Sequence, residues 1–350
     1  GSAIGVGLGL TFASFGTETT TSVVSPAENS CVVGFKPTAN LLPRDGDIPV
    51  SRRQDTVGHI AHTVGDTAQI LDAVIHFDMR PGTGRLLYAE SCRNADLDGM
   101  RIGVVRYSEE EVDGPKLAAF HDALGLLKEA GGVIVDNSDL AGLQDYDSLL
   151  ERMQNIVLET EFKTDVKAYL RSLAENPRRI LTFEDLVNAI KSEPSERYPG
   201  RSVNIMLRAL ATSKESPEYL AMLQKQEHYA SSGGFQGATD RHNFDVIIVP
   251  AGSLSLQVFA AIGGNLVIAV PMGFYPEGTK VKVDESRGGL VSVAPGISFL
   301  LYLYGRRNGE AQLLSVAYAF EQLSRARKLA RPYILPKTDL EDAVLRRQRM

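Results

Sequence analysis

Runs of aliphatic and β-branched residues at 32–36, 100–105, 133–135, 244–250, 266–270 and 297–303 alternate along the chain with segments of helical period. That alternation constrains the fold more than any other feature. Continuous apolar strands need cover on both faces, and intervening helices supply it, so the chain is predicted to be α/β around a sheet largely buried on both sides. The clearest unit spans 100–135. Its first strand leads to a helix opened by Pro115, a residue the first turn tolerates, with Leu117, Phe120, Leu124 and Leu127 along one side. Gly131 and Gly132 end that helix before the strand at 133–135.

Residues 3–15 read as a small-residue helix running into a short strand. Residues 56–76 read as a helix capped by Asp55, with Ile60, Val64, Ala68, Leu71 and Val74 at helical spacing. From about 147 to 230 helical patterns run without strand signals, broken at Pro177, Pro194, Pro199 and Pro217, and are predicted to cover one side of the sheet. A turn is predicted at 271–278. A closing helix at about 310–328 carries Leu313, Val316, Phe320 and Leu323 on one side, with Pro332 beyond its end.

With 43% hydrophobic residues among 350, the chain can bury a large core, and a net charge of −6 argues against a polyanion partner. The basic groups at 325–328 and 346–349 fit a helix C-terminus and a terminal tail, so no nucleic-acid partner is expected. Cys31 and Cys92 imply no disulfide framework and fit a cytoplasmic protein. The apolar run 3–15 is interrupted by glycines, too short to span a bilayer and preceded by no charged region, so no membrane association is expected. The chain does not start with methionine and reads as a processed product or an internal piece.

The chemistry-bearing stretch is Gly16-Thr-Glu-Thr-Thr-Thr-Ser22-Val-Val-Ser-Pro-Ala27, followed by Gly34-Phe-Lys-Pro-Thr38. Further along stand Asp55-Thr-Val-Gly58 with Thr63-Val64, and Val270-Pro-Met-Gly-Phe-Tyr-Pro-Glu-Gly278. In this order the motifs resemble the amidase signature family, in its fungal-type branch and the related glutamyl-tRNA amidotransferase A subunits. The likeness covers nearly the whole chain and is strongest at 9–75 and 244–333. It implies an α/β/α fold with a central twisted mixed sheet. It also implies a carbon–nitrogen hydrolase that attacks a small-molecule carboxamide through a serine and an acyl-enzyme, with no cofactor and no metal.

Carried over position by position, Ser22 matches the nucleophile, and Thr19, Thr20 and Thr21 match the oxyanion loop. Gly263, Gly264, Pro271 and Met272 fall where the family lines its substrate cleft. Glu18 replaces an aspartate, and His62 replaces an arginine. Thr20 and Thr21 stand where the family has glycines, and β-branched residues resist positive φ. The family completes a Ser–Ser–Lys triad with a lysine and a second serine that fall upstream of Gly1. Ser2 matches a later serine of that run, and Lys36 the structural lysine of Lys-Pro-Thr. One domain is expected over 1–336, its N-terminal part missing, with a helical covering region at about 145–235 and a tail at 337–350.

Simpler readings stand beside these. Ser22 in a threonine-rich stretch suits a turn or cap. His59 and His62, three apart on the predicted helix, have no third metal ligand in the sequence. Gly5-Val-Gly-Leu-Gly9 has the wrong spacing for a dinucleotide loop, and Cys31 suits a small buried hydrophobe. Two alternatives to hydrolysis follow. A truncated pseudo-amidase would keep the fold for binding or assembly, self-associating to cover an open sheet edge. A biosynthetic enzyme would reuse the cleft for non-hydrolytic chemistry.

Overall fold

A computed structural model describes residues 1–75, 87–109, 112–285 and 288–330. The expected tail, Pro332 and the basic group at 346–349 lie outside these residues. The strands are β1 (Ala13–Glu18), β2 (Val33–Lys36), β3 (Thr56–Ala61), β4 (Arg101–Val104), β5 (Val133–Val135), β6 (Val246–Val249), β7 (Leu266–Phe274), β8 (Lys282–Asp284), β9 (Leu290–Val293) and β10 (Ser298–Gly305). The helices before residue 130 are α1 (Ser2–Gly7), α2 (Val24–Asn29), α3 (Val64–Ile75), α4 (Tyr88–Arg93) and α5 (Gly114–Glu129). The middle of the chain forms α6 (Leu143–Asp147), α7 (Glu151–Ser172), α8 (Phe183–Ser192), α9 (Asn204–Leu210), α10 (Pro217–Ala230) and α11 (Phe235–His242). Last come α12 (Leu254–Gly263) and α13 (Glu310–Ser324).

Eight strands form one mixed sheet in the order β1-β3-β2-β7-β10-β6-β4-β5, and β8 and β9 pair separately. The pairs β6–β4 and β4–β5 are parallel, and the other neighbours antiparallel. Side-chain alternation sends Phe299, Leu301 and Leu303 of β10, with Ile268 and Val270 of β7, into a core shared with α3, α4, α5 and α13. Leu300, Tyr302 and Tyr304, with Val267 and Ala269, point the other way and meet α2, α6, α7, α10, α11 and α12. The sheet is therefore covered on both faces, as the uninterrupted apolar strands require. Beyond its first turns α7 leaves the sheet, and Val166 and Leu170 pack a separate cluster with Phe183, Val187, Val203 and Ala209.

Two expectations are corrected. The predicted helix at 56–76 begins as strand β3, which fills the gap between β1 and β2 with six pairs to β1 and three to β2. Sheet pairing outweighs the helical spacing there, and Gly58 lets the strand lie against the Phe35 carbonyl, only 2.5 Å from where a Cβ would sit. The helix itself starts at Val64, where the Thr63 hydroxyl takes the Asp66 N–H (3.0 Å). His59 thus lies between Phe15 and Phe35 of the neighbouring strands, tilted to the first ring and edge-on to the second, and Asp55 is not a helix cap. The predicted turn at 271–278 is likewise strand as far as Phe274. Pro271, which has no N–H to give, is accommodated beside a register shift between Phe299 and Leu300. Helix α12 and the β8–β9 hairpin escaped the sequence reading, and Leu323 is exposed. No helix among the described residues is long and apolar enough to cross a membrane.

Helix α2 rests almost directly on β2. A Cβ on Gly34 would lie 2.7 Å from the Ala27 Cβ and 3.1 Å from the Val23 carbonyl. Gly34→Ala is therefore expected to cost about 1–3 kcal/mol in denaturant unfolding, the ordinary price of overpacking; an unchanged midpoint would refute that packing. Burial pushes the His59 imidazole down to about 4. Between pH 6.5 and about 4 the unfolded chain takes up a proton that the folded chain refuses. Stability should therefore fall as the pH drops through that window, by at most about 1.4 kcal/mol per pH unit. Unfolding curves of His59→Gln should show a shallower loss over the same range.

Candidate active site

Strand β1 ends in a carboxylate with no access to solvent. Glu18 is fully buried, and its Oε2 accepts the N–H groups of Val23 (2.6 Å) and Val24 (2.9 Å). These are the first amides of α2, which no side-chain cap of its own satisfies. The carboxylate thus folds residues 19–22 into a tight loop between strand and helix. Ser22 lies exposed on that loop, with Thr19, Thr20 and Thr21 half-buried beside it. The Ser22 hydroxyl and the N–H groups of Thr20, Thr21 and Ser22 hydrogen-bond to no described residue. None of the three threonines adopts a positive φ, so their branched side chains are accommodated without left-handed backbone.

At the same end of the sheet the ammonium of Lys36 is also fully buried, and Glu18 feels its charge. Burial pushes the Glu18 carboxyl up and the Lys36 ammonium down, and each charge opposes the other's shift. Lys36 Nζ donates to the Asn265 carbonyl (2.6 Å), and Asn265 Nδ2 donates to the Gly305 carbonyl (3.1 Å). Lys36 is thereby committed to the framework and not to Ser22. The Thr19 hydroxyl donates to Asp55 Oδ1 (2.6 Å), which anchors the start of the loop.

The predicted substrate residues divide. Gly264 has left-handed φ at the end of α12, its carbonyl accepts the Ala39 N–H (3.1 Å), and Gly263 accepts from Arg307. The pairing of Lys36 with Val267 puts both glycines at the same end of the sheet as the end of β1. Pro271 and Met272 lie five and six residues further along β7 than its first residue, roughly 17–20 Å at strand rise. Met272 is buried in the core on the face opposite α2, and Pro271 lines a cavity of about 260 Å³ with Thr63 and Arg327. A larger cleft, about 470 Å³, is lined by Cys31, Phe274 and Ile297 at the far end of α2 and does not include Ser22.

No group of three or more histidine, cysteine or acidic side chains that could hold a metal ion occurs among the described residues. His59 Nε2 bonds the Thr67 carbonyl and His62 Nε2 the Val6 carbonyl. Cys31, with φ of 51°, and Cys92 are free thiols. Sequence reasoning passed over Glu18 as a substitution of aspartate and took Asp55 for a helix cap. The β-branched Thr56-Val57 pair, favouring a strand, was the available signal that Asp55 was free for another role.

The family model described as Amidase matches residues 1–260. An amidase-family protein of Arthroderma benhamiae is 35% identical over 97% of this chain and 58% of its own length. A probable amidase of Arabidopsis thaliana is 30% identical over 94% of this chain and 60% of its own. Among solved structures, native peptide amidase from Stenotrophomonas maltophilia superposes with a TM-score of 0.74 at 26% identity, over 96% of this chain and 66% of that one. The chain thus spans about six-tenths of the length of these two curated relatives. The match to the family model, the two relatives and the shared mixed sheet agree: the chain belongs to the amidase family.

Proposed function

We propose that this chain carries the nucleophile of a carbon–nitrogen hydrolase acting on small carboxamides, with Ser22 as the attacking group. The observation that carries it is the conjunction of an exposed serine hydroxyl with the unpaired N–H groups of Thr20, Thr21 and Ser22 on one tethered loop. An oxyanion needs donors of that kind, free of other partners and fixed before reaction. The Ser22 hydroxyl gives its proton to a base as Oγ bonds the amide carbon, and the carbonyl electrons move onto oxygen. Collapse expels the amine, which takes the proton back, and leaves an ester on Ser22. Water then repeats the sequence to release the acid.

An isolated serine is a weak nucleophile, and Lys36 is spoken for by Asn265. The base and the relaying serine, a lysine and a second serine by the family resemblance, are on this proposal supplied from outside these 350 residues. Residues 1–336 then form one domain of a cytoplasmic enzyme, with the helices at about 145–235 over one face. A second reading, a non-catalytic binding or assembly protein that self-associates, draws support from β1. That strand is one of the two edges of the sheet, and Phe15 within it and Phe12 just before it are exposed.

A fluorophosphonate separates the two. Hydrolase chemistry predicts an adduct on the Ser22 peptide, absent from Ser22→Ala, when the chain is assayed together with the segment that supplies the base. No adduct in a folded sample of that assembly would favour the binding protein.

A further inference from the structure

Glu18 holds the end of the Ser22 loop, and its beginning is held from another direction. Thr19 reaches Asp55 Oδ1, whose second oxygen accepts the N–H groups of Val50 (2.8 Å) and Ser51 (2.9 Å). The Asp55 and Gln54 N–H groups return to the Ser51 carbonyl (2.8 and 3.0 Å), so residues 51–55 form a closed turn. That turn is bolted to the covering helices. The Ser51 hydroxyl donates to Glu161 Oε2, and Arg53 Nε donates to Glu161 Oε1 (2.6 Å) on α7. Arg53 also bonds Gln226 on α10 (2.8 Å), and the Arg52 N–H bonds Asp165 on α7 (2.8 Å). Ser51, Asp55, Glu161 and Gln226 are buried, which keeps water from the bonds of Ser51 to Asp55 and Glu161, whereas Arg53 is half exposed and the Arg52–Asp165 bond lies at the surface.

We infer that Asp55 is a positioning residue for Ser22, through which the covering helices α7 and α10 set the geometry of the nucleophile loop. This rests on the function proposed above, but its physical content does not need catalysis. Asp55 touches no reacting atom. It fixes the Thr19 end of a four-residue span whose other end Glu18 fixes, and a span pinned at both ends keeps its free amides aimed. A charge-assisted hydrogen bond inside the protein is strong enough for this, and each of the three that Asp55 accepts is of that type. Because Glu161 accepts from both Ser51 and Arg53, a shift of α7 moves the turn and with it the anchor of Thr19.

Amide hydrogen exchange at Val23, Val24 and Ser25 reads the loop directly, since these N–H groups are bonded to Glu18 and Thr21. Thr19→Val keeps the shape of the side chain and removes its donor. It should speed exchange at these three amides by about tenfold, the loss of one bond to a charged acceptor, while β7 and β10 stay protected. Thr19→Ser should restore the wild-type rates, and Asp55→Ala should loosen the loop at least as much as Thr19→Val. Equal rates in Thr19→Val and wild type would overturn the inference, as would Thr19→Ser behaving like Thr19→Val, which would assign the effect to the methyl group. Labelling of Ser22 by a fluorophosphonate in the assembled enzyme should slow in Thr19→Val and recover in Thr19→Ser. If the wild type takes no label while exchange behaves as stated, the hydrolase proposal fails and the positioning role stands.

Discussion

A carboxylate and an ammonium, both without access to water, lie near enough to feel each other's charge at the end of the sheet that carries the Ser22 loop. Glu18 and Lys36 come from different strands, two positions apart in the sheet, and neither would remain charged there alone. Their mutual attraction offsets part of the cost of burial, and the bonds each makes offset more. Glu18 spends one oxygen on the amides of Val23 and Val24, while Lys36 reaches Asn265 and through it Gly305. The segment after Lys36 is tied down as well, since the Thr38 N–H donates to Glu310 Oε1 (2.9 Å) at the start of α13. The pair therefore joins β1, α2, β2, β7 and β10 at one end of the sheet, and the Ser22 loop is the outward consequence.

Much of this was legible in the residues. Apolar strands at 244–250 and 297–303 announced a sheet covered on both faces, and Pro115 with Gly131 bracketed α5 as read. Where the reading failed, non-local pairing was the cause. Thr56–Ala61 carries apolar residues that suit a helix and β-branched ones that suit a strand. Only the presence of β1 and β2 on its two sides decides between them. Pro271 looked like a turn because a proline removes a ladder bond. The register shift opposite it, set by β10 almost thirty residues later, is invisible to any local pattern.

The site was legible to a different degree. Ser22 stood out through the order of motifs around it, but what holds it did not. Glu18 read as a conservative exchange, although its carboxylate is the cap of α2. Asp55 and Glu161 are 106 residues apart and belong to one hydrogen-bonded chain that no spacing rule connects. The threonines at 20 and 21, expected to conflict with a glycine-dependent loop, sit at ordinary φ. The loop gets its fixity from anchors at both ends in place of glycine turns within. Gly264 is tied to this end of the sheet by the Ala39 N–H and Gly263 by Arg307, next to the Asn265 carbonyl that Lys36 holds, whereas Met272 lies in the core on the other face.

The coupling between Glu18 and Lys36 can be measured by a double-mutant cycle in equilibrium unfolding, with Glu18→Gln, Lys36→Met and the pair of changes together. Each single change strands a buried charge and should cost about 3–5 kcal/mol, while the double change should cost clearly less than the sum of the two. Effects that add to within about 0.5 kcal/mol would show that the two charges do not depend on each other, and the account of the loop built upon them would be wrong.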